Sequence, residues 1–256
     1  NKFGISFTRA SQVYARATAL PGLDVAGIDM HIGSQITDIE PFEQAFRLMA
    51  ELATRLKSEG HNIRHLDLGG GLGVPYRGTN DVPPHPDEYA AMVKRTLGHL
   101  GLKYVLEPGR MIAGNAGILV SRVIYVKEND GNYFVIQDAA MNDLIRPTLY
   151  DAYHEIIPVK KPADKASEIT ADVVGPVCET GDYIAKARRL PTPDPGDLLA
   201  TMTAGAYGAV QSGTYNTRPL VAEVLVKGST WSLVRPRQTY EDLLGLDRLA
   251  LWQAKS

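Results

Sequence analysis

A short apolar segment at residues 63–68 runs directly into Gly69, Gly70 and Gly71, and this junction constrains the fold more than any other feature of the chain. The apolar run predicts a buried strand. Glycine allows positive φ angles and leaves its N–H open to a ligand, so a sharp turn is expected where the strand ends. Several N–H groups that point the same way can bind an anion such as a phosphate. A plain tight turn is the alternative interpretation.

Residues 1–113 repeat this order of strand and helix. Apolar strand candidates alternate with amphipathic helix candidates, which favours parallel strands joined by helical crossovers. The predicted strands are 3–7, 25–32, 63–68 and 102–106, and the predicted helices are 8–19, 41–58 and 86–100, with a Pro-rich loop at 74–86. The last three strands end in polar, glycine-containing sequence, as ligand sites do in (β/α)8 barrels and doubly wound sheets.

The pattern changes near residue 114. Strand-like segments separated by turns follow at 118–126, 133–137, 171–177, 198–203, 220–226 and 230–234, and helical periodicity returns only at 240–252. This half therefore predicts an all-β domain with a terminal helix. The expected fold is α/β plus all-β: the second half of a (β/α)8 TIM-type barrel at 1–113, then a β-barrel or Greek-key-like domain at 114–256.

Composition limits the possible partners and compartment. A net charge of −2 over 256 residues gives no reason to expect binding to nucleic acid or to an anionic membrane surface. No apolar run reaches the roughly 18 residues of a membrane span. The single Cys178 excludes an internal disulfide and fits a reducing cytoplasm. No residues stand at metal-ligand spacing, so no metal is expected. The chain begins at Asn1, and we expect it to be part of a longer protein.

Candidate ligand-binding residues follow the predicted strands of the first half. Arg110 and the three glycines could both serve a phosphate. Glu107 could pair with a protonated ring nitrogen, as pyridoxal phosphate requires, or form a salt bridge. His31 could stack over a flat cofactor ring, and Ser34 could reach a phosphate, while a structural histidine is the alternative.

The segment at residues 175–182 predicts a reactive loop. Cys178 stands beside Glu179 and close to Asp182, and carboxylates are not expected in apolar core sequence. Because carboxylates disfavour a thiolate, we interpret Cys178 as a proton donor rather than a nucleophile. Glu179 could bind an amine.

Two further segments of the second half carry candidate polar groups. Arg146 and Tyr150 could hold a substrate carboxylate, because a guanidinium fork matches that geometry. A surface charge is the alternative for Arg146. Tyr207 offers a hydroxyl in a glycine-lined loop.

Together these motifs resemble the fold-type III pyridoxal-phosphate decarboxylases. The matching segments run in order at 31–35, 67–73, 107–110, 146–154, 175–182, 205–207 and 215–226. The resemblance implies pyridoxal phosphate as cofactor, an amino acid substrate, and a homodimer whose active sites are shared across the interface.

The resemblance also implies roles for individual residues. His31 would stack on the cofactor ring, and Glu107 would pair with the ring nitrogen. The remaining cofactor contacts would come from Ser34, Gly69, Gly70, Gly71, Gly109, Arg110 and Tyr207. The substrate's distal carboxylate and amine would be bound by Arg110, Arg146, Tyr150, Tyr207 and Glu179. Cys178, presented across the interface, would return a proton to the carbon that loses CO2.

The charges of the predicted substrate site indicate the substrate class. Two arginines together with Glu179 suit a distal group that carries both a carboxylate and an amine. A diamino dicarboxylic acid is therefore favoured over ornithine or arginine, which form the alternative.

One element of the family pattern is missing. Family members bond the cofactor to a lysine within a Tyr-x-x-Lys-Ala motif on an early barrel strand. Residues 183–187 fit that pattern, but they follow the Cys178 loop, and Lys2 precedes what resembles a middle strand. We therefore expect the lysine in a segment before Asn1. A non-catalytic regulatory relative is the alternative. The joint presence of Cys178, Glu107, Arg110 and Arg146 argues against it.

Overall fold

A computed structural model describes residues 2–77, 82–163 and 165–253. The chain divides into two compact units, Asn1–Gly114 and Asn115–Ser256, which are called the N-terminal and C-terminal units below. Residues 78–81 of the predicted Pro-rich loop lie outside the described residues. Among the helices of the described part, none has the length and apolar character needed to cross a membrane.

The N-terminal unit alternates helices with parallel strands, as predicted. Strands β1 (Gly27–Asp29), β2 (His65–Asp67) and β3 (Lys103–Val105) form a parallel sheet with β2 in the centre. The helices are α1 (Ala10–Thr18), α2 (Glu40–Ser58), α3 (Pro86–Leu97) and α4 (Gly109–Ala113). The α/β pattern of this half is therefore confirmed, with strands shorter than the apolar runs that predicted them.

The core of the N-terminal unit lies on the apolar face of α2. Phe42 and Phe46 are completely buried, and their rings lie 5.2 and 6.0 Å from the ring of Tyr89 on α3. The helical spacing of the apolar residues predicted this face, because residues three and four apart share one side of a helix.

The predicted strand at residues 3–7 is wrong. In the described part of this segment the chain bends and then enters a 3-10 turn, Phe7–Arg9. Gly4 has a φ of +63°, which breaks the extended conformation, and Phe3 and Ile5 are exposed. A strand requires hydrogen bonds from a neighbouring strand, which an apolar pattern alone does not supply.

The C-terminal unit is built on a six-stranded sheet in the order β6-β9-β4-β5-β7-β8. Its strands are β4 (Leu119–Asn129), β5 (Asn132–Gln137), β6 (Ile156–Pro158), β7 (Glu168–Val174), β8 (Tyr183–Pro191) and β9 (Leu198–Thr201). Neighbours are antiparallel except for β5 and β7. Arg188 of β8 donates to the carbonyl of His154, just before β6, at 2.7 Å. The two edges therefore approach each other, and the expected barrel-like all-β fold is confirmed.

Several elements of the C-terminal unit differ from the prediction. Strands β6 and β8 and the short helix α5 (Arg146–Tyr150) were not predicted. The strands expected at 220–226 and 230–234 are present as β10 (Glu223–Lys227) and β11 (Thr230–Arg235), which pair as an antiparallel hairpin. The helix predicted at 240–252 is limited to α6 (Tyr240–Leu244), because Gly245 follows and the apolar residues beyond it are exposed.

The packing around α2 predicts a large effect of one truncation. Because Phe46 is fully buried between two aromatic rings, Phe46→Ala should lower the free energy of unfolding by about 3–5 kcal/mol. Leu48 on the same helix is 53% exposed, and Leu48→Ala should change the free energy of unfolding by no more than about 0.5 kcal/mol. Urea unfolding followed by circular dichroism measures both. Equal losses would contradict the assignment of the core.

Candidate functional site

The loops that follow β1, β2 and β3 are joined by backbone hydrogen bonds. The N–H of Glu107 donates to the carbonyl of Gly69 at 2.9 Å, and the N–H of Ile36 donates to Gly71 at 2.9 Å. Three of the segments that the sequence singled out, at 31–34, 69–71 and 107–110, therefore lie together at the carboxyl ends of the strands.

The three glycines are required by the close approach of these loops. A Cβ atom on Gly70 would lie 2.4 Å from the carbonyl oxygen of Glu107, and one on Gly71 would lie 2.6 Å from that of Gly33. On Gly69 it would lie 2.5 Å from the carbonyl oxygen of Met30. Gly69 and Gly71 also have φ angles of +65° and +95°, which favour glycine. The glycines thus have a packing role that sequence reasoning had not assigned.

The N–H groups of the three glycines differ in what they can offer a ligand. The N–H of Gly69 donates to the carboxylate of Asp67 at 3.0 Å. No hydrogen bond from the N–H of Gly70 or Gly71 is found within residues 2–77, 82–163 and 165–253. An anion cradle would therefore use Gly70 and Gly71, while Gly69 shapes the loop.

Three carboxylates meet beside the glycine loop. Oxygen atoms of Asp29, Asp67 and Glu107 all lie within 4.8 Å of one another. Asp29 and Asp67 are partners in the β1–β2 register, so their side chains share one face of the sheet. Sequence reasoning found Glu107 but missed the two aspartates, which only the strand register could have identified. Such a cluster attracts a cationic group.

Arg110 forms a cationic part of the same site. Its Nη2 donates to the hydroxyl of Ser34 at 3.0 Å, and its Nη1 donates to the hydroxyl of Tyr76. The Nδ1 atom of His31 would lie only 3.2 Å from a Cβ on Gly69, so the imidazole lies beside the glycine loop. Ser34, Arg110 and His31 thus lie beside one loop, and Tyr76 joins the residues that the sequence singled out there. A guanidinium and hydroxyl groups suit a phosphate.

In the C-terminal unit, Cys178 is exposed on the loop between β7 and β8. Asp182, which is 4% exposed, holds this loop through both carboxylate oxygens. They accept hydrogen bonds from the N–H of Met141 at 2.6 Å and the N–H of Val177 at 2.7 Å. Burial raises the pKa of Asp182, and these two N–H donors partly oppose that shift. A rigid loop therefore presents the Cys178 thiol.

The carboxylate of Glu179, the residue after Cys178, is held by three hydrogen bonds. It accepts hydrogen bonds from the N–H of Gly181 at 3.3 Å and the hydroxyl of Thr180 at 3.2 Å, and more weakly from Tyr215 at 3.4 Å. The Gly181 N–H and then the Thr180 hydroxyl hold the pKa of Glu179 below its usual range. Glu179 is therefore ionised at neutral pH and can bind an amine.

Helix α5 brings Arg146 and Tyr150 to the Cys178 loop. The hydroxyl of Thr148 donates to the carbonyl of Gly181 at 2.5 Å, which joins the helix to the loop. Tyr150 is 59% exposed, whereas Arg146 is only 6% exposed. The alternative interpretation of Arg146 as a surface charge is therefore wrong. Its Nη1 lies 2.7 Å from Nε2 of the buried His154.

The remaining predicted residues have simpler surroundings. Gly109 begins α4, directly before Arg110. Tyr207 has a φ of +57° and is 40% exposed in the loop after β9, so its role toward the phosphate and substrate stays a prediction. The Tyr-x-x-Lys-Ala pattern at 183–187 lies on β8 of the C-terminal unit, where Nζ of Lys186 is 3.9 Å from the centre of the Tyr183 ring.

The chain is similar to known proteins over most of its length. The profile of a family described as pyridoxal-dependent decarboxylase, C-terminal sheet domain, matches residues 12–205. The chain is 52% identical over 248 residues to the diaminopimelate decarboxylase of Vibrio cholerae, covering 96% of the chain and 58% of that protein.

Solved structures show the same similarity. A crystal structure from Aquifex aeolicus matches with a TM-score of 0.93 and 43% identity, covering 96% of the chain and 60% of the other. The structure of Helicobacter pylori diaminopimelate decarboxylase complexed with L-lysine matches with a TM-score of 0.89 and 37% identity, with the same coverage. The chain spans about three fifths of the length of these relatives.

The geometry of the Cys178 loop predicts that Asp182 stabilises it. Asparagine has only one acceptor oxygen, and its NH2 group would face one of the two backbone N–H donors. Asp182→Asn should therefore lower the free energy of unfolding by about 1–3 kcal/mol. Asp247→Asn, at an exposed position, is the matched control and should have almost no effect. Thiol reactivity of Cys178 toward a maleimide should rise in Asp182→Asn alone. Unchanged stability and reactivity would contradict the role of Asp182.

Proposed function

The chain belongs to the pyridoxal-dependent decarboxylase family, and on this premise we propose that the complete protein decarboxylates meso-2,6-diaminopimelate to L-lysine and CO2, the last step of lysine biosynthesis. The observation that carries the proposal is the pairing of an acidic cluster and a cationic group around one glycine loop. Pyridoxal phosphate has the matching charges, since its protonated ring nitrogen is cationic and its phosphate is anionic.

The residues around the glycine loop fit this cofactor. When bound, pyridoxal phosphate accepts the electrons released as CO2 leaves, for which its ring nitrogen must carry a proton. Glu107, supported by Asp29 and Asp67, would favour that protonated form, because nearby negative charge stabilises a cation. The phosphate would be held by Ser34, Gly70, Gly71, Arg110 and Tyr207, with Gly69 and Gly109 shaping the backbone. The His31 ring would cover the ring face.

The substrate proposal follows from the charges of the remaining residues. Arg110, Arg146, Tyr150 and Tyr207 would bind the distal carboxylate, and Glu179 would bind the distal amine. A basic amino acid such as ornithine has no distal carboxylate for Arg146 to bind. The similar proteins include the diaminopimelate decarboxylase of Vibrio cholerae, and the Helicobacter pylori enzyme was solved in complex with L-lysine, which supports this choice.

We propose that Cys178 donates the proton that replaces CO2. Its thiol is exposed on the loop between β7 and β8, next to the ionised Glu179 that would bind the substrate's amine. We also propose a cytoplasmic homodimer in which Cys178 of one protomer serves the glycine loop of the other.

The lysine that bonds the cofactor is proposed to lie outside residues 1–256. Lys186 is on a strand of the C-terminal unit, and Nζ of Lys2 lies 5.1 Å from the centre of the Phe3 ring. Borohydride reduction of the complete protein with pyridoxal phosphate, followed by peptide mass spectrometry, locates the lysine. Absence of any lysine adduct and of CO2 release would favour the non-catalytic alternative.

Removal of the Arg146 guanidinium tests the substrate assignment. In the complete protein, Arg146→Ala should reduce kcat/KM for diaminopimelate by about 10²-fold or more, because a buried charge–carboxylate contact is lost. Release of labelled CO2 measures this. The control is Arg189→Ala, which removes an exposed guanidinium that pairs with Glu168. Nearly unchanged turnover in Arg146→Ala would contradict the assignment.

Mixing two inactive variants tests the shared site. Glu107→Ala and Cys178→Ala should each be nearly inactive. If each site takes Glu107 and Cys178 from different protomers, equal mixing after subunit exchange should restore about a quarter of wild-type activity, because half of the dimers carry one intact site. If the mixture of the two variants stays inactive although mass spectrometry shows that subunits have exchanged, the shared arrangement is excluded.

A further inference from the structure

His154 is completely buried in the C-terminal unit and connects three segments of it. Its ring Nε2 lies 2.7 Å from Nη1 of Arg146, and its ring Nδ1 lies 2.8 Å from the carbonyl oxygen of Met202. Its own carbonyl accepts a hydrogen bond from Arg188 at 2.7 Å. The histidine is therefore held both through its ring and through its backbone.

These partners allow only one form of the imidazole. A guanidinium donates hydrogen bonds and cannot accept them, so Nε2 must be the acceptor and carries no proton. A carbonyl only accepts, so Nδ1 must carry the proton and donate to Met202. His154 is therefore neutral, in the tautomer with the proton on Nδ1.

The segment around His154 is firmly braced. The N–H of Met202 donates to the carbonyl of Glu155 at 2.8 Å, beside the ring contact to the same residue. The guanidinium of Arg188 lies 4.0 Å from the centre of the Tyr153 ring. The imidazole therefore offers Arg146 an acceptor in a fixed position.

The contact orients the guanidinium without cancelling its charge. The five N–H donors of arginine lie in one plane, so an acceptor at one of them restricts the direction of the whole fork. A carboxylate in the place of the imidazole would neutralise the charge, whereas a neutral histidine does not. We propose that His154 is a positioning residue that sets the plane of the Arg146 guanidinium for the substrate's distal carboxylate. This inference rests on the proposed function.

Two substitutions separate the two ring contacts. His154→Gln places an amide oxygen near the position of Nε2 and keeps an acceptor for Arg146. His154→Asn places an amide near the position of Nδ1, keeps a donor for Met202 and loses the acceptor for Arg146. Both substitutions remove the imidazole from the same buried position. If His154 has only a structural role, both variants should lose similar amounts of stability, which is measured by their melting temperatures.

The measurement is competitive inhibition of the complete, cofactor-loaded protein by two probes. L-lysine carries the distal carboxylate, and 1,5-diaminopentane lacks it. His154→Asn should raise KM for diaminopimelate and Ki for L-lysine about tenfold, with Ki for 1,5-diaminopentane within about twofold of wild type. His154→Gln should keep all three within about threefold. In an Arg146→Ala background, His154→Asn should have no further effect on these constants.

The outcomes separate this inference from the proposed function. If wild type decarboxylates diaminopimelate but His154→Asn keeps its KM and its Ki for L-lysine, the positioning role is wrong and the function stands. Equal weakening of both probes, or a full effect of His154→Asn without Arg146, would also overturn it. If wild type neither turns over diaminopimelate nor binds L-lysine, the proposed function itself fails. If both folded variants lose affinity equally, His154 is structural only.

Discussion

Contact between the backbones of neighbouring strand ends determines the N-terminal half of the site. The carbonyl groups of Gly33 and Glu107 occupy the space where Cβ atoms on Gly71 and Gly70 would stand. Only glycine permits this approach, and it places the loops after all three strands against one another. The acidic cluster and the Arg110–Ser34 pair are therefore both fixed relative to one loop. The anion binding that we propose for the Gly70 and Gly71 N–H groups would be a second consequence of glycines that packing already requires.

The C-terminal unit reaches a similar rigidity with a buried carboxylate. Asp182 binds the N–H groups of Met141 and Val177, and a Cβ on Gly175 would lie 2.5 Å from one of its oxygens. A buried carboxylate is costly unless hydrogen bonds satisfy it, so the two donors must stay in place. The loop that carries the exposed Cys178 thiol is thus held in place by the hydrogen bonds of Asp182.

Apolar spacing predicted the elements that bury one face and failed where burial is not decisive. Helix α2 was predicted with nearly correct bounds because its apolar stripe enters the core. Strand β8 was missed because Lys186, Arg188 and Arg189 interrupt its apolar residues, and its stability comes from the pairing with β7. The segment at 3–7 shows the reverse error, since its apolar residues suggest a strand but Gly4 turns the chain.

The sequence identified the groups that we propose to contact the ligands. It missed several residues that hold these groups in place. Glu107 lies two residues before Gly109, Cys178 lies beside Glu179, and Arg146 stands in a segment that mixes polar and apolar residues, so each has a local signal. The roles of Asp182 and His154 depend on Met141 and Met202, which lie 41 and 48 residues away along the chain. No local pattern reports such contacts. Both contacts orient a group without an opposite formal charge, since N–H groups hold Asp182 and a neutral ring holds Arg146. The orientation of both charged groups therefore depends on long-range hydrogen bonds that form only in the folded chain.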